Sequence, residues 1–445
     1  MERFMNTSSP TDRFAGGPNV IAQAAWHSLF WLVAANAIGV LLAVLLLLPD
    51  LNVFLGEWTY GRWMMAHMNL ELYGWISIPL VGYLFHIYGA GRGTMARWCR
   101  PVLWVWSAAL GVGVLSWLNG HSSGKLFLDW SGYARSLFSA ALFALWLLLG
   151  IAFMARRWSE QRTAPWLARL SGLLVLLAVP FALFAASNPN SYPPINPSTG
   201  GPTGASQLES SLAIVLIVLM LPLGIARKKR SGSRTIASAW MLLAIHALFC
   251  AALGHGDVSN RVPMQLVGFL TILIWLPVAP IYFGAFDWHA EACRWRQAVL
   301  WWWAALLVTG ATMFLPGVLD HFKFTDGLVG HSFVAMAGFA SSLIVLVMVQ
   351  LLGNGGWIFN RARAFFLWHG SVIAYAVVVT MAGWREGFDP AFTMVPGFER
   401  NLLYWFRLVT GVVMLIASVD WLVASTVLLR QSNSASEVFT WEKTA

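Results

Sequence analysis

The sequence predicts an all-α polytopic membrane protein with about twelve transmembrane helices, on three observations. The 445-residue chain is 58% hydrophobic and only 11% charged, with a mean hydropathy of +0.66. A water-soluble domain cannot hide that much apolar surface, so lipid must be the solvent for most of it. Apolar runs of roughly twenty residues, the length a helix needs to cross the hydrocarbon layer, recur along the chain. The 26 tryptophans suit a chain that crosses two membrane–water interfaces, where indole rings settle.

In order, the spans begin near residues 24, 64, 101, 135, 165, 207, 236, 264, 297, 328, 362 and 399. Residues 1–23 form a polar tail without the short apolar core and cleavage site of a signal peptide, so it is expected to stay on the chain. Residues 24–430 form one membrane domain, and 431–445 a second polar tail. Basic residues gather in alternate loops: "GRGTMARWCR", "ARRWSEQR", "ARKKRSGSR", "CRWR" and "NRAR" all fall on the side shared by both termini. That side holds roughly twenty Lys and Arg against about seven opposite, which places both termini in the cytoplasm of a bacterial-type inner membrane. The net charge of +9 is therefore a topology signal, not a nucleic-acid footprint. The polar stretch at 187–207, "SNPNSYPPINPSTGGPTGASQ", holds no Lys or Arg and is expected to fold over the outer mouth of the bundle. No linker and no internal repeat is apparent to the eye. Cys99, Cys250 and Cys293 are too scattered for a disulfide framework or a zinc site. The glycine-rich "GRG" and "TGGPTG" lack the strand–helix context of a phosphate loop.

This topology sorts the histidines by depth. His67 falls near the outer end of the second span, His255 at the outer end of the seventh and His331 in the outer half of the tenth. His121 and His321 fall in outer loops, His27, His86 and His369 in the inner half, and His289 in an inner loop. His86 lies about 28 Å along the helix from His67 at 1.5 Å per residue, too far for both to serve one planar cofactor. Each intramembrane imidazole has a plain structural reading, a hydrogen bond to a neighbouring helix. Three of them at one depth on three helices also suit haem, whose iron takes neutral imidazole and whose ring is apolar. Copper and a purely structural network stay open as alternatives.

These residues carry a family resemblance along nearly the whole chain. "LLLLPDLN" followed by "YGRWMMAHMN" resembles the first span, loop and second span of subunit I of the haem–copper oxidases, closest to the cbb-type cytochrome c oxidases and the nitric oxide reductases. "FTDGLVGHSFVAMAGF" resembles that family's tenth span, and "LWHGSVIAYAVVVTMAG" and "WFRLVTGVVMLIASV" its last two. The resemblance implies a haem–copper oxidase-like bundle holding one or two b-type haems, an electron donor of the cytochrome c type or a c-type haem subunit, and reduction of dioxygen or nitric oxide. It makes His67, with Asn69, the match to a low-spin haem ligand and His331 the match to the high-spin haem ligand. His255 takes the place of a ligand to the metal opposite the high-spin haem, copper or non-haem iron. Arg407, inside the twelfth span, is a candidate for haem carboxylates, since its planar fork suits them; its plain reading is snorkelling to the interface.

The departures from the family pattern bear on activity. The tenth span carries His331-Ser332-Phe333 where the family has His-x-His, so Phe333 stands at the second low-spin ligand position. The seventh span reads "GHG" instead of a histidine pair, and the sixth begins without a histidine, with Gln207 and Glu209 nearby. Phe249 stands where the cbb type has a redox tyrosine. These losses count against canonical oxidase activity; the leading expectation is a haem-binding electron-transfer protein, and a catalytically degenerate paralogue acting as assembly subunit or electron conduit is the alternative. A proton-coupled transporter, whose sign would be interrupted helices with mid-membrane charge, is the rival from another class. Glu71, one turn beyond His67, is expected to orient an imidazole, to conduct protons or to pair with Arg62. Asp420 lies nearer the inner end of the twelfth span. Met64, Met65 and Met68 flank His67 on its own helix and are read as packing.

Overall fold

The chain is an all-α polytopic membrane protein. The computed structural model describes residues 18–155, 164–197, 201–204, 208–254, 256 and 258–441. Its long helices are α1 (Pro18–Leu47), α2 (Tyr60–Tyr88), α3 (Gly93–Leu118), α4 (Gly132–Met154), α5 (Ala164–Ala186), α6 (Leu208–Ile225), α7 (Ser233–Leu253), α8 (Pro263–Gly284), α9 (Cys293–Met313), α10 (Asp326–Ile358), α11 (Ala362–Phe388) and α12 (Phe398–Trp441). Eleven of them are long and apolar enough to cross a membrane. The remaining one, α9, has 21 residues. Arg294, Arg296 and Gln297 dilute its apolar character, yet it packs against α8 and α10 within the bundle.

The helix ends differ from the sequence reading at both tails. Pro18 starts α1 ahead of residue 24, as suits a residue with no N–H to leave unpaired in a first turn. Helix α12 continues past residue 430 to Trp441. Two short strands, β1 (Arg227–Lys228) and β2 (Phe286–Asp287), pair antiparallel and tie the α6–α7 connection to the α8–α9 connection.

The centre of the bundle is α10, with α2 beside it; these are the two most deeply packed spans. Helix α1 lies along α12 and against α2, while α11 bridges α10 and α12. Helices α3 to α5 lie in sequence against one another on the far side of α2, and α5 is mostly lipid-facing. At the end of the bundle where α2 begins, the buried Lys125 clamps the start of the polar 187–204 stretch. Its ammonium donates to the Ala186 and Asn188 carbonyls and to Ser191 Oγ, and lies 3.6 Å from the centre of the Tyr192 ring. Burial lowers the pKa of this amine, and the three acceptors with the π face compensate its charge.

An internal structural repeat, unseen in the sequence, organises the core. Helices α2 and α10 each widen into a seven-residue π-helical segment, Leu70–Ile76 and Val334–Ala340, starting three residues after His67 and His331. A π turn leaves backbone carbonyls without their usual partner. In both segments a serine ten residues after the histidine returns to the chain, Ser77 Oγ to Leu72 O at 2.8 Å and Ser341 Oγ to Met336 O at 2.9 Å. In both a tryptophan of the next packed helix also donates to an equivalent carbonyl, Trp106 of α3 to Tyr73 O at 2.9 Å and Trp368 of α11 to Ala337 O at 3.1 Å. Each segment carries a glycine seven residues after its histidine, and a tryptophan from the preceding packed helix fills the space. Trp31 of α1 lies against Gly74 and Trp302 of α9 against Gly338. The α-helical stretch after each segment stops at a glycine 22 residues after the histidine, Gly89 at φ 72° and Gly353 at φ 56°, a backbone region that favours glycine. The trio α1–α2–α3 is thus built like the trio α9–α10–α11.

A stability prediction follows from those contacts. A Cβ at Gly74 would sit 2.5 Å from the Trp31 Cβ, and one at Gly338 would sit 2.4 Å from the Trp302 ring. Gly74→Ala and Gly338→Ala are each expected to cost about 1–3 kcal/mol through overpacking, read as a fall in the thermal midpoint in detergent. Gly370→Ala, which meets nothing within 4 Å, should leave the midpoint unchanged or raise it. Equal midpoints in all three variants would contradict the packing described.

Candidate functional site

The candidate site is built from α2, α10 and the helices that back their histidines. His67 Nδ1 lies 2.8 Å from the Ala35 carbonyl on α1. A carbonyl only accepts, so Nδ1 carries the hydrogen and Nε2 carries the lone pair. Gly39, one turn on from Ala35, faces the ring: a Cβ there would lie 3.0 Å from His67 Cε1. The absence of a side chain on Gly39 makes room for the imidazole.

The repeat places His331 in the same relation to α9. His331 Nδ1 lies 3.0 Å from Thr309 Oγ1, and that hydroxyl donates its single hydrogen to the Ala305 carbonyl at 2.7 Å. Thr309 therefore accepts from His331 Nδ1–H, which again leaves the lone pair on Nε2. Gly310 faces this ring, where a Cβ would lie 3.2 Å from His331 Cε1. Neither Nε2 has a hydrogen-bond partner among the described residues. Both rings are half-buried among the helices and keep some accessible surface.

The other histidines in the bundle are held differently. His246 of α7, which sequence reasoning did not single out, accepts from Trp275 Nε1 at its Nδ1 (3.0 Å) and has its Nε2 2.7 Å from Thr271 Oγ1. Both its nitrogens are used. His369 accepts from Trp302 Nε1 at its Nδ1 (3.0 Å), so its Nε2 bears hydrogen and has no lone pair to offer. His321 donates from Nε2 to the Trp384 carbonyl. His121 is exposed in its loop. His255 lies outside the described residues.

His67 and His331 do not share one setting. Their rings are backed by α1 and α9 respectively, and the residue two after His331, Phe333, turns to another side of α10. Phe333 stacks on Tyr375 of α11 with centroids 4.0 Å apart and planes at 21°. Beyond Tyr375 lies Arg407 of α12, whose Nε donates to the Tyr375 hydroxyl at 2.7 Å and whose Nη1 lies 3.0 Å from Asp326 Oδ2. Arg407 is 8% exposed, so it does not snorkel. It is buried and paired, as an intramembrane charge must be. Tyr60 and His67 of α2 lie within electrostatic reach of its guanidinium. Glu386 closes the network by accepting from the Asp326 backbone N–H at 2.6 Å. Tyr60, Asp326, Tyr375 and Glu386 were missed in the sequence. Asp326 was readable as the acid opening the tenth span, but the pairing partners are about fifty to eighty residues away.

Glu71 sits in the π segment of α2. Arg62, its expected partner, instead lies 3.5 Å from Glu57 and donates to the Leu118 carbonyl at 2.9 Å. Arg62 stands in the first turn of α2, and its side chain runs toward the α3–α4 loop. Among the described residues Glu71 has no hydrogen-bond partner, and it too keeps accessible surface inside the bundle. Asn69 is fully buried and donates to Met65 O at 2.9 Å and to Asp129 Oδ2 at 3.4 Å. Asp129 lies in the loop between α3 and α4, so Asn69 ties that loop to α2. Burial raises the Asp129 carboxyl pKa despite the bonds from Ser122 and Asn69. Asp420 pairs with Arg361 at 2.9 Å. Gln207 lies outside the described residues, and Glu209 is exposed in the first turn of α6. Among the described residues no three His, Cys, Asp or Glu side chains are gathered as a metal site. Compared with protein-family models the chain matches none, and no curated protein matches it.

Proposed function

We propose that the protein is an integral membrane haem protein of the haem–copper oxidase superfamily that works in electron transfer, with His67 of α2 and His331 of α10 as the histidines that would hold haem iron. The observation that carries this reading is the tautomer of the two imidazoles. In each, a hydrogen bond from Nδ1 fixes the ring and leaves the Nε2 lone pair without a partner among the described residues, the arrangement that iron-binding histidines need. The residues fit haem in other respects. Gly39 and Gly310 leave room for the rings, and Arg407 supplies a planar guanidinium for carboxylates near His67. Haem bound there would supply reversible one-electron chemistry. The chain's own part is to fix the imidazole planes and to hold the buried arginine through Asp326 and Tyr375.

Within this reading, the stacked Phe333–Tyr375 pair favours an electron conduit or assembly subunit over a reductase of dioxygen or nitric oxide. A phenyl ring offers iron no lone pair, so the second low-spin ligand of the family pattern is replaced by packing. An electron donor of the cytochrome c type, or a c-type haem subunit, remains the partner this reading implies. One observation favours the transporter rival: Glu71 stands without a hydrogen-bond partner in an interrupted membrane helix, as proton-carrying carboxylates do.

A pyridine haemochrome spectrum with metal analysis on the purified protein separates these readings. One or two b-type haems per chain is the expected result, and one haem without copper or non-haem iron selects the conduit. Protein that folds and inserts with no haem at any stoichiometry would overturn the proposal and leave the transporter.

A further inference from the structure

At the end of the bundle where α1 and α3 begin and α12 ends, a cavity of about 210 Å³ is lined by Gln23, Trp26, His27, Arg100, Trp104 and Leu429. His27 is 3% exposed, and its hydrogen bonds define its tautomer. Trp31 Nε1 donates to Ser107 Oγ at 3.1 Å, and that hydroxyl lies 2.8 Å from His27 Nδ1. The arrangement that uses every hydrogen runs from Trp31 to Ser107 to His27. It leaves Nδ1 as acceptor and puts the ring hydrogen on Nε2. Among the described residues that N–H has no partner, although His27 is buried and lines the cavity. The imidazole lines the cavity, so an acceptor from outside the chain can reach that N–H.

The surroundings narrow the chemistry of that acceptor. Arg100 is exposed at the rim, so the cavity sets a guanidinium and a neutral imidazole N–H beside the Gln23 amide, with a net positive charge. The walls are indole rings. His27 meets Trp104 edge-on with centroids 4.7 Å apart and Trp26 at 5.3 Å. Trp104 is 50% exposed, as is Trp98 nearer the start of the same helix, as interfacial tryptophans are. This end of the bundle also carries Arg92, Arg97 and the basic 227–230 run. A basic pocket between membrane helices at headgroup depth fits an anionic phospholipid.

We infer that this cavity is a binding site for one anionic phospholipid, its phosphate oxygens accepting from Arg100 and from His27 Nε2–H while its acyl chains run along Trp104 and Leu429. The site is independent of the haem reading, since none of its lining residues touches His67 or His331.

Native mass spectrometry of the full chain in detergent, titrated with phosphatidylglycerol and phosphatidylcholine, tests it. One phosphatidylglycerol should bind per chain in preference to phosphatidylcholine. Arg100→Gln should weaken it at least about tenfold, as loss of a charge-assisted hydrogen bond does, and His27→Phe should weaken it as well. Arg97→Gln, on the same surface but outside the cavity, should retain it. Equal loss in Arg97→Gln and Arg100→Gln would reduce the effect to surface charge and overturn the site. Equal binding of phosphatidylcholine would overturn the anionic preference. Displacement of phosphatidylglycerol by millimolar inorganic phosphate would show a free-anion site instead of a lipid site. Because Arg100 is exposed, its variant keeps the test valid even if His27→Phe fails to fold.

Discussion

His67→Leu is expected to lower haem affinity by more than about a hundredfold, since losing even an orienting partner of a ligating histidine costs about 10–100-fold. Leucine keeps the volume and the apolar contacts against Gly39 but removes the lone pair. The Soret band per chain is the readout, compared with His246→Leu, whose imidazole has both nitrogens engaged within the protein. His331→Ala should likewise lose more haem than His369→Ala, because only the former presents Nε2 as an acceptor. The comparison separates ligation from folding. Either structural histidine, once removed, leaves a buried tryptophan N–H without its acceptor and lowers the melting temperature, while haem per folded chain is kept. Equal haem loss across all four variants would refute the assignment of His67 and His331.

The second large effect concerns Arg407. Asp326→Asn removes its only described carboxylate partner while leaving the guanidinium buried beside Tyr375. Breaking a buried ion pair on one side costs about 3–5 kcal/mol, because the surviving charge is left uncompensated. The side chains are 9% and 17% exposed, so water offers little relief. The double variant Asp326→Asn/Arg407→Leu removes both charges and should recover part of that loss, which makes the coupling visible as non-additivity. Unfolding by SDS titration of the four proteins in detergent gives the numbers. Strictly additive losses would mean that the pair is not a unit. By contrast Arg385→Gln, which breaks a half-exposed pair with Glu399, should change stability by less than about 1 kcal/mol.

The repeat shows how a pattern can be present in a sequence and still escape notice. His67, Gly74, Ser77 and Gly89 recur at the same spacing as His331, Gly338, Ser341 and Gly353, but the residues between them share little. The spacing gains meaning only when both runs are seen to widen into π turns, each closed by its own serine and by a tryptophan from a neighbouring helix. The glycines matter for what the tryptophans need, and the tryptophans lie dozens of residues away.

The histidines divide in the same way. Depth, read from topology, grouped His67 with His331 and separated both from His86 and His369. Depth alone could not tell that His246 and His369 are held as hydrogen-bond acceptors. It also could not tell that the second and tenth helices direct their imidazoles into different settings. Arg407 was legible as an intramembrane charge, whereas its burial and its hold on Asp326 and Tyr375 were not.

The sequence by itself determined that this chain is a bundle of membrane-crossing helices with long polar stretches at its ends and loops. Transfer of side chains from water to hydrocarbon is a local property that sums along each span. Only the tertiary structure decided which nitrogen of each imidazole is free, which acid holds the buried arginine and where a buried donor lacks an acceptor. Those choices are set by hydrogen-bond partners on other helices, often far along the chain, and no periodicity within a span encodes them.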